Sequence, residues 1–234
     1  MATTTSHTVK AFDDDLKELR ALVAEMGGRA EAAISDSITA LTRRDLDLAA
    51  RVVDGDKRID DIEAEIERLC VRLIALRAPM ADDLRDVLGA MKISGVIERI
   101  GDYGKNIAKR VPLLSGVRNM EPLSILPAMA RATLDMVKGA LDAFAARDAQ
   151  AAVRICAQDK QVDDFYNSLF RALLTHMMEN PQTISEATHL LFIAKNLERI
   201  GDHATNIAET VYFAATGRHM ADRQRGQDML TAED

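Results

Sequence analysis

Four pairs of carboxylates set four residues apart are the side chains of this sequence best suited to chemistry. They are Asp56 with Asp60, Glu98 with Asp102, Asp159 with Asp163, and Glu198 with Asp202. A helix turns once in about 3.6 residues, so positions i and i+4 stand on one face, about 5–6 Å apart at Cβ. Like charges held there oppose helix formation, at a cost on the order of a few tenths of a kcal/mol. Asp60 and Glu63, on the preceding helix, are placed to face Glu98 and Asp102. Carboxylates converging from two helices without a cationic partner form an oxygen-rich cation site. Magnesium, manganese and ferric iron suit such a set, and zinc also accepts carboxylate. The competing expectation is a solvated acidic face paired with Arg99, Arg199, Lys57 and Lys160. Asn106 and Asn206, one turn further on, can add an amide oxygen or cap the network. Gly101 and Gly201 sit in mid-helix, where glycine costs about 1 kcal/mol relative to alanine. That cost predicts close approach of another helix or of a ligand.

Other chemistries find little support. There is no GxSxG sequence, no glycine-rich phosphate loop and no cysteine with a repeated histidine near it. Glu186 and His189 make a Glu-x-x-His element of the kind used by di-iron bundles, but residues 86–89 read DVLG and do not repeat it. His189 and His203 are candidates for phosphoryl relay on a helix surface, though most lone helical histidines are ordinary polar residues. A metal-dependent hydrolase of phosphate compounds could use the same carboxylates as a two-metal centre. It would need a general base or nucleophile, which the sequence does not offer in both halves.

The elements that must position these residues are helices. Apolar residues recur at helical spacing from about 10 to 43, and Arg44-Asp45 marks a turn. A second helix, with a bend allowed at Gly55, carries Ile59, Ile62, Ile66, Leu69, Leu73 and Leu76 and stops before Pro79. A third runs from about 82 to 111, with Ile93, Ile97, Ile100, Ile107 and Val111 on one face. Glu98 and Asp102 fall roughly opposite that stripe, which places them on the bundle surface or in a groove beside the second helix. Residues 112–122 form a linker. Helices then follow over about 124–146 and 149–179, and Thr183-Ile-Ser-Glu186 reads as a capping box opening a sixth that Gly217 ends. An offset of 100 residues lays Glu98-Arg-Ile-Gly-Asp102 on Glu198-Arg-Ile-Gly-Asp202 and Asn106-Ile-Ala108 on Asn206-Ile-Ala208. An offset of 103 lays Asp56-Lys57 and Asp60-Asp61 on Asp159-Lys160 and Asp163-Asp164. Such an internal repeat predicts an all-α fold of two tandem three-helix bundles, up-down-up in the manner of a spectrin repeat, over 10–112 and 121–217, with residues 1–9 and 218–234 as loose tails.

Composition narrows the class. With 234 residues the chain can bury a core without disulfide or metal staples. Only 12 Gly and 5 Pro leave little material for the tight turns of a β-sandwich. With no Trp and 11 Met, the core is aliphatic and Met177-Met178 read as filler. A net charge of −7 and the lack of a basic stripe argue against nucleic acid as a partner. No secretory leader and no span-length apolar run stand in the sequence, and Cys70 and Cys156 lie inside helical patterns as reduced thiols. The expected setting is the cytoplasm.

The pair ERIGDYGKNIAKR (98–110) and ERIGDHATNIAET (198–210), each preceded by a DKxxDD segment (56–61 and 159–164), resembles the PhoU family over about residues 10–217. The resemblance implies a cytoplasmic, peripheral regulator of phosphate homeostasis, not an enzyme. It would be a negative regulator of the Pho regulon, bridging the sensor histidine kinase and the ATPase subunit of the phosphate ABC transporter. It also implies dimers, peripheral membrane association through partners, and metal clusters on the E(D)xxxD pairs named above. Tyr103 against His203 and Lys105 against Thr205 make the two halves chemically unequal, so equal metal loading is not expected.

Overall fold

The computed structural model describes residues 3–114 and 124–220, with side chains from residue 12 onward. The helices are α1 (Thr3–Arg43), α2 (Leu46–Arg77), α3 (Asp82–Ala108), the short α4 (Val111–Leu114), α5 (Leu126–Ala146), α6 (Ala149–Glu179) and α7 (Ile184–Thr216). No strand occurs among the described residues. The fold is all-α, as the periodicity predicts.

The turns repeat as closely as the helices. Arg44 (φ 57°) and Arg147 (φ 52°) both adopt the left-handed conformation that reverses the chain. The aspartate that follows each caps the next helix. Leu48 N–H donates to Asp45 Oδ1 at 2.8 Å, and the Gln150 and Ala151 N–H groups donate to Asp148 Oδ1 at 2.9 Å. Gly217, at φ 69°, closes α7 as expected.

Several boundaries and burials differ from the sequence reading. Helix α1 begins at Thr3, so the N-terminal residues are not wholly outside it. Helix α2 runs unbroken through Gly55. Helix α3 ends at Ala108 rather than at Val111, because a proline at 112 cannot donate to the carbonyl of residue 108 and crowds it. The capping box does not form. A 3₁₀ turn (Pro181–Thr183) precedes α7, and the Thr183 hydroxyl donates back to the Asn180 carbonyl at 2.8 Å. Leu76 and Met178 lie outside the core, 70% and 77% exposed. The expected linker begins within α4; its residues 115–122, and the tail from 221, lie outside the described residues.

Within each half the three long helices pack on one another, and the halves meet through α3 against α7 and α1 against α5. The core is a continuous aliphatic cluster, with Ile62, Ile66, Ile93, Ile97 and Ile100 of one half and Leu190, Ile193, Leu197 and Ile200 of the other fully buried. Helices α3 and α7 run antiparallel. A Cβ on Gly89 would lie 3.6 Å from that of Ala214, while Arg110 at the other end reaches His189 at 3.2 Å. Midway, the Tyr103 ring stacks on that of His203 with centroids 5.5 Å apart. These two residues occupy the same position of the repeat, so a pseudo-twofold axis passes between them.

Candidate functional site

In the first half, α2 contributes Asp56, Asp60 and Glu63, and α3 contributes Glu98 and Asp102. The helices approach closely because α3 carries glycine where they touch. A Cβ at Gly101 would stand 2.7 Å from Ile59 Cδ1, and one at Gly95 would stand 3.3 Å from Glu63 Oε1. The expected close approach is therefore that of a neighbouring helix. The carboxylates line the groove between α2 and α3 and are not all on the surface; Asp56 is only 8% exposed. Lys105, expected only to make the halves unequal, resolves the cost of that burial: its ammonium pairs with both Asp56 and Asp102. Burial pulls this ammonium down, but its hydrogen bonds to Asp102 and Asp56 outweigh that effect and raise its pKa. Lys105 does not reach the far end of the groove. There burial, with the charges of Asp102, Glu63 and Asp60, pushes the Glu98 carboxyl up to about 7. Burial likewise raises Asp60, helped by Asp56, and Glu63, helped by Glu67.

The second half builds the same groove with its cation at the opposite end. Asp159 on α6 is 2% exposed, and a Cβ at Gly201 of α7 would lie 3.4 Å from Asp159 Oδ1 and from Val162 Cγ1. Thr205 replaces Lys105, and its hydroxyl donates to the Asp202 carbonyl at 2.6 Å. The ammonium here is Lys195, where α3 has Gly95; it donates to Glu198 Oε1 at 2.8 Å and lies 5.1 Å from the Tyr166 ring centroid. Tyr166 occupies the position of Glu63. Burial raises the Glu198 carboxyl against the pull of Lys195. Its Oε2 is buried without a hydrogen-bond partner.

Between the two grooves lies the pseudo-axis. The Arg199 guanidinium carbon sits 6.0 Å from the Tyr103 ring centroid, and Asn206 Nδ2 lies 3.4 Å from His203 Nδ1. His203 is partly buried in this contact and does not stand free on a helix surface. Its pKa is lowered by burial and by the charges of Arg99 and Arg199. Asn106, like Asn206, is exposed. Arg99, Arg199, Lys57 and Lys160, the expected partners of an acidic face, form no ion pair among the described residues. Glu186 and His189 belong to a different place, at the C-terminal end of α3, where Arg110 stacks 4.4 Å over the Phe192 ring.

This chemistry is electrostatic. Oxygen-only donors suit a hard cation, and the orphaned Glu198 Oε2 is a group that such an ion would satisfy. Among the described residues no three His, Cys, Asp or Glu side chains are held together as a ready ligand set. Cation binding therefore requires carboxylate rearrangement. Lys195, and the counter-ion role of Lys105, were missed in the sequence but had a signal: each lysine stands three positions from a paired carboxylate, one helical turn away, and neither is repeated in the other half.

Known proteins resemble the chain over nearly its whole length. The PhoU domain profile matches twice, at residues 23–111 and 126–211. The phosphate-specific transport system accessory protein PhoU homolog of Zymomonas mobilis is 57% identical over 227 residues, covering 97% of this chain and 96% of that protein. The Escherichia coli K12 accessory protein PhoU is 41% identical, over 96% and 92% respectively. The crystal structure of PhoU from Pseudomonas aeruginosa superposes with a TM-score of 0.85 at 36% identity, covering 88% of this chain and 100% of that one.

Proposed function

This chain belongs to the PhoU family, and from that premise we propose that it regulates phosphate uptake as a metal-binding adaptor. On this reading it is a cytoplasmic negative regulator of the Pho regulon. It holds the sensor histidine kinase inactive when phosphate is plentiful and contacts the ATPase subunit of the phosphate ABC transporter, working as a homodimer at the membrane face. The observation that carries the reading is the duplicated acidic groove in a chain matched end to end by phosphate-transport accessory proteins. No helix among the described residues is long and apolar enough to cross a membrane, so contact with a transporter would be peripheral.

Glu63, Glu98, Asp60 and Asp102 would hold a cation in the first half, with Asp56 kept by Lys105. Asp159, Asp163, Glu198 and Asp202 would hold one in the second. A bound hard cation supplies charge neutralisation. The protein's residues supply the rest: they orient the oxygens and set the sign of the surface that a partner meets. Coupling to regulation requires that the cation-bound and cation-free forms differ in partner affinity. The test is binding of the purified kinase and ATPase subunit to wild type and to Glu98→Gln/Asp102→Asn, with elemental analysis of each. Reduced partner binding together with reduced metal content supports the reading. Unchanged affinity for both partners and unchanged metal content overturn it.

A further inference from the structure

We propose that His189 is a proton-operated switch between the two halves, holding the end of α3 and the short α4 against α7 when neutral and releasing them when protonated. Arg110, where α3 gives way to α4, brings Nη1 to 3.2 Å from His189 Nδ1. A guanidinium can only donate, so Nδ1 must accept. An imidazole that accepts at Nδ1 is the neutral ring with its proton on Nε2. A second proton removes the acceptor and sets one cation against another at hydrogen-bond distance, so the contact is lost. The surrounding groups serve both states. In the neutral state the same guanidinium lies 4.4 Å over the half-exposed Phe192 ring, tying the end of α3 to successive turns of α7. In the protonated state the receiver is Glu186, one helical turn before His189 and on the same face. Its Oε2 is buried without a hydrogen-bond partner, and so is Arg110 Nε. The closed arrangement thus leaves one donor and one acceptor unpaired, which biases it toward rearrangement. Among the described residues no other charged side chain bonds to His189. Helix α4 (VPLL) and the 3₁₀ turn before α7 (PQT) carry no charge, and Lys109 beside Arg110 is exposed. The repeat makes the switch one-ended. At the opposite end of the contact between α3 and α7, Asp86 stands in the position of Glu186 and Gly89 in that of His189. Asp86 is 8% exposed and joins the halves through Arg20 of α1 and Arg147 of the turn after α5, each at 3.2 Å. That end has no histidine to titrate, so opening is confined to the end at His189. The switch does not depend on the cation reading above.

The experiment is amide hydrogen exchange on the full chain from about pH 7.5 to about pH 5.5, the span in which histidines change charge, read as protection factors so that the intrinsic pH dependence of exchange cancels. Protection of residues 105–114 in the wild type should fall about tenfold or more across that span, as loss of a charge-assisted hydrogen bond requires. His189→Asn places an amide oxygen where Nδ1 stands and cannot titrate, so it should hold the protection at both ends of the range. Arg110→Gln should lack it at both ends. Each variant is first shown to melt cooperatively at pH 7.5, so that a local release is distinguished from a failure to fold. Glu98→Gln, whose carboxyl lies in the groove between α2 and α3, should keep the wild-type fall. Constant protection of residues 105–114 in the wild type, an equal fall in His189→Asn, or loss of the fall in Glu98→Gln overturns the proposal.

Discussion

The two halves share a core and differ in their polar grooves. Residues 91–101 and 191–201 have the same pattern of burial position by position, and Ile100 and Ile200 are both fully enclosed. The acidic grooves built on these identical frames carry their lysines at opposite ends, Lys105 beside Asp56 and Asp102, Lys195 beside Glu198. Packing constrains the shape of a helix face to within a methyl group. A groove constrains only its charge, which a tethered ammonium can balance from either end. Duplicated architecture therefore does not imply duplicated electrostatics.

The comparison can be tested first at the core, where effects are largest. Ile100→Ala and Ile200→Ala should each lower stability by about 2–5 kcal/mol in denaturant titration, the usual cost of an enclosed cavity. A clear inequality between them would break the equivalence of the frames. Next come the lysines. Lys105→Met strands a nearly buried Asp56 carboxylate and should cost about 1–3 kcal/mol, whereas Lys195→Met, which uncovers a carboxyl already shifted toward its neutral form, should cost less.

Glu98 sharpens the contrast through pH. Its folded pKa, about 7, lies above its ordinary 4.5, so the folded state prefers the neutral acid. Its effect on stability is most favourable below about pH 4.5 and is lost as pH rises through about 7. Glu98→Gln should therefore be more stable than wild type at pH 8, with the gain vanishing below pH 4.5 in melts across that range. Glu198→Gln should gain less, because Lys195 already favours the charged form. The smallest effects are at the caps. Asp45→Ala and Asp148→Ala should each cost about 1 kcal/mol in thermal melts, slightly more at Asp148, which accepts two backbone hydrogen bonds.

Much of this organisation was legible in the sequence. The helices follow from apolar periodicity, because a buried stripe must recur with the turn of the helix. Gly101 and Gly201 announced the approach of α2 and α6, since only a neighbouring side chain or backbone rewards so costly a residue there. The carboxylate pairs themselves were visible as spacing. Their counter-ions were not, because a surface lysine at i+3 looks the same whether it points to water or into a groove. Nor does periodicity within one helix tell which residue of α3 meets which of α7, so the stacking of Tyr103 on His203 was hidden. The capping box at 183–186 failed because a proline-led 3₁₀ turn set the Thr183 backbone before its hydroxyl could cap.

The antiparallel contact of α3 with α7 carries a genealogical consequence. Repeats stacked by translation can be added without limit, but a rotational pair is closed once its two members meet. A forerunner half as long would have had to find a second copy of itself, ring upon identical ring, to cover the same apolar flank. Fusing two such genes would have freed each copy to drift. The displaced lysines are the kind of divergence that only a covalent pair, and never a symmetric one, can accumulate.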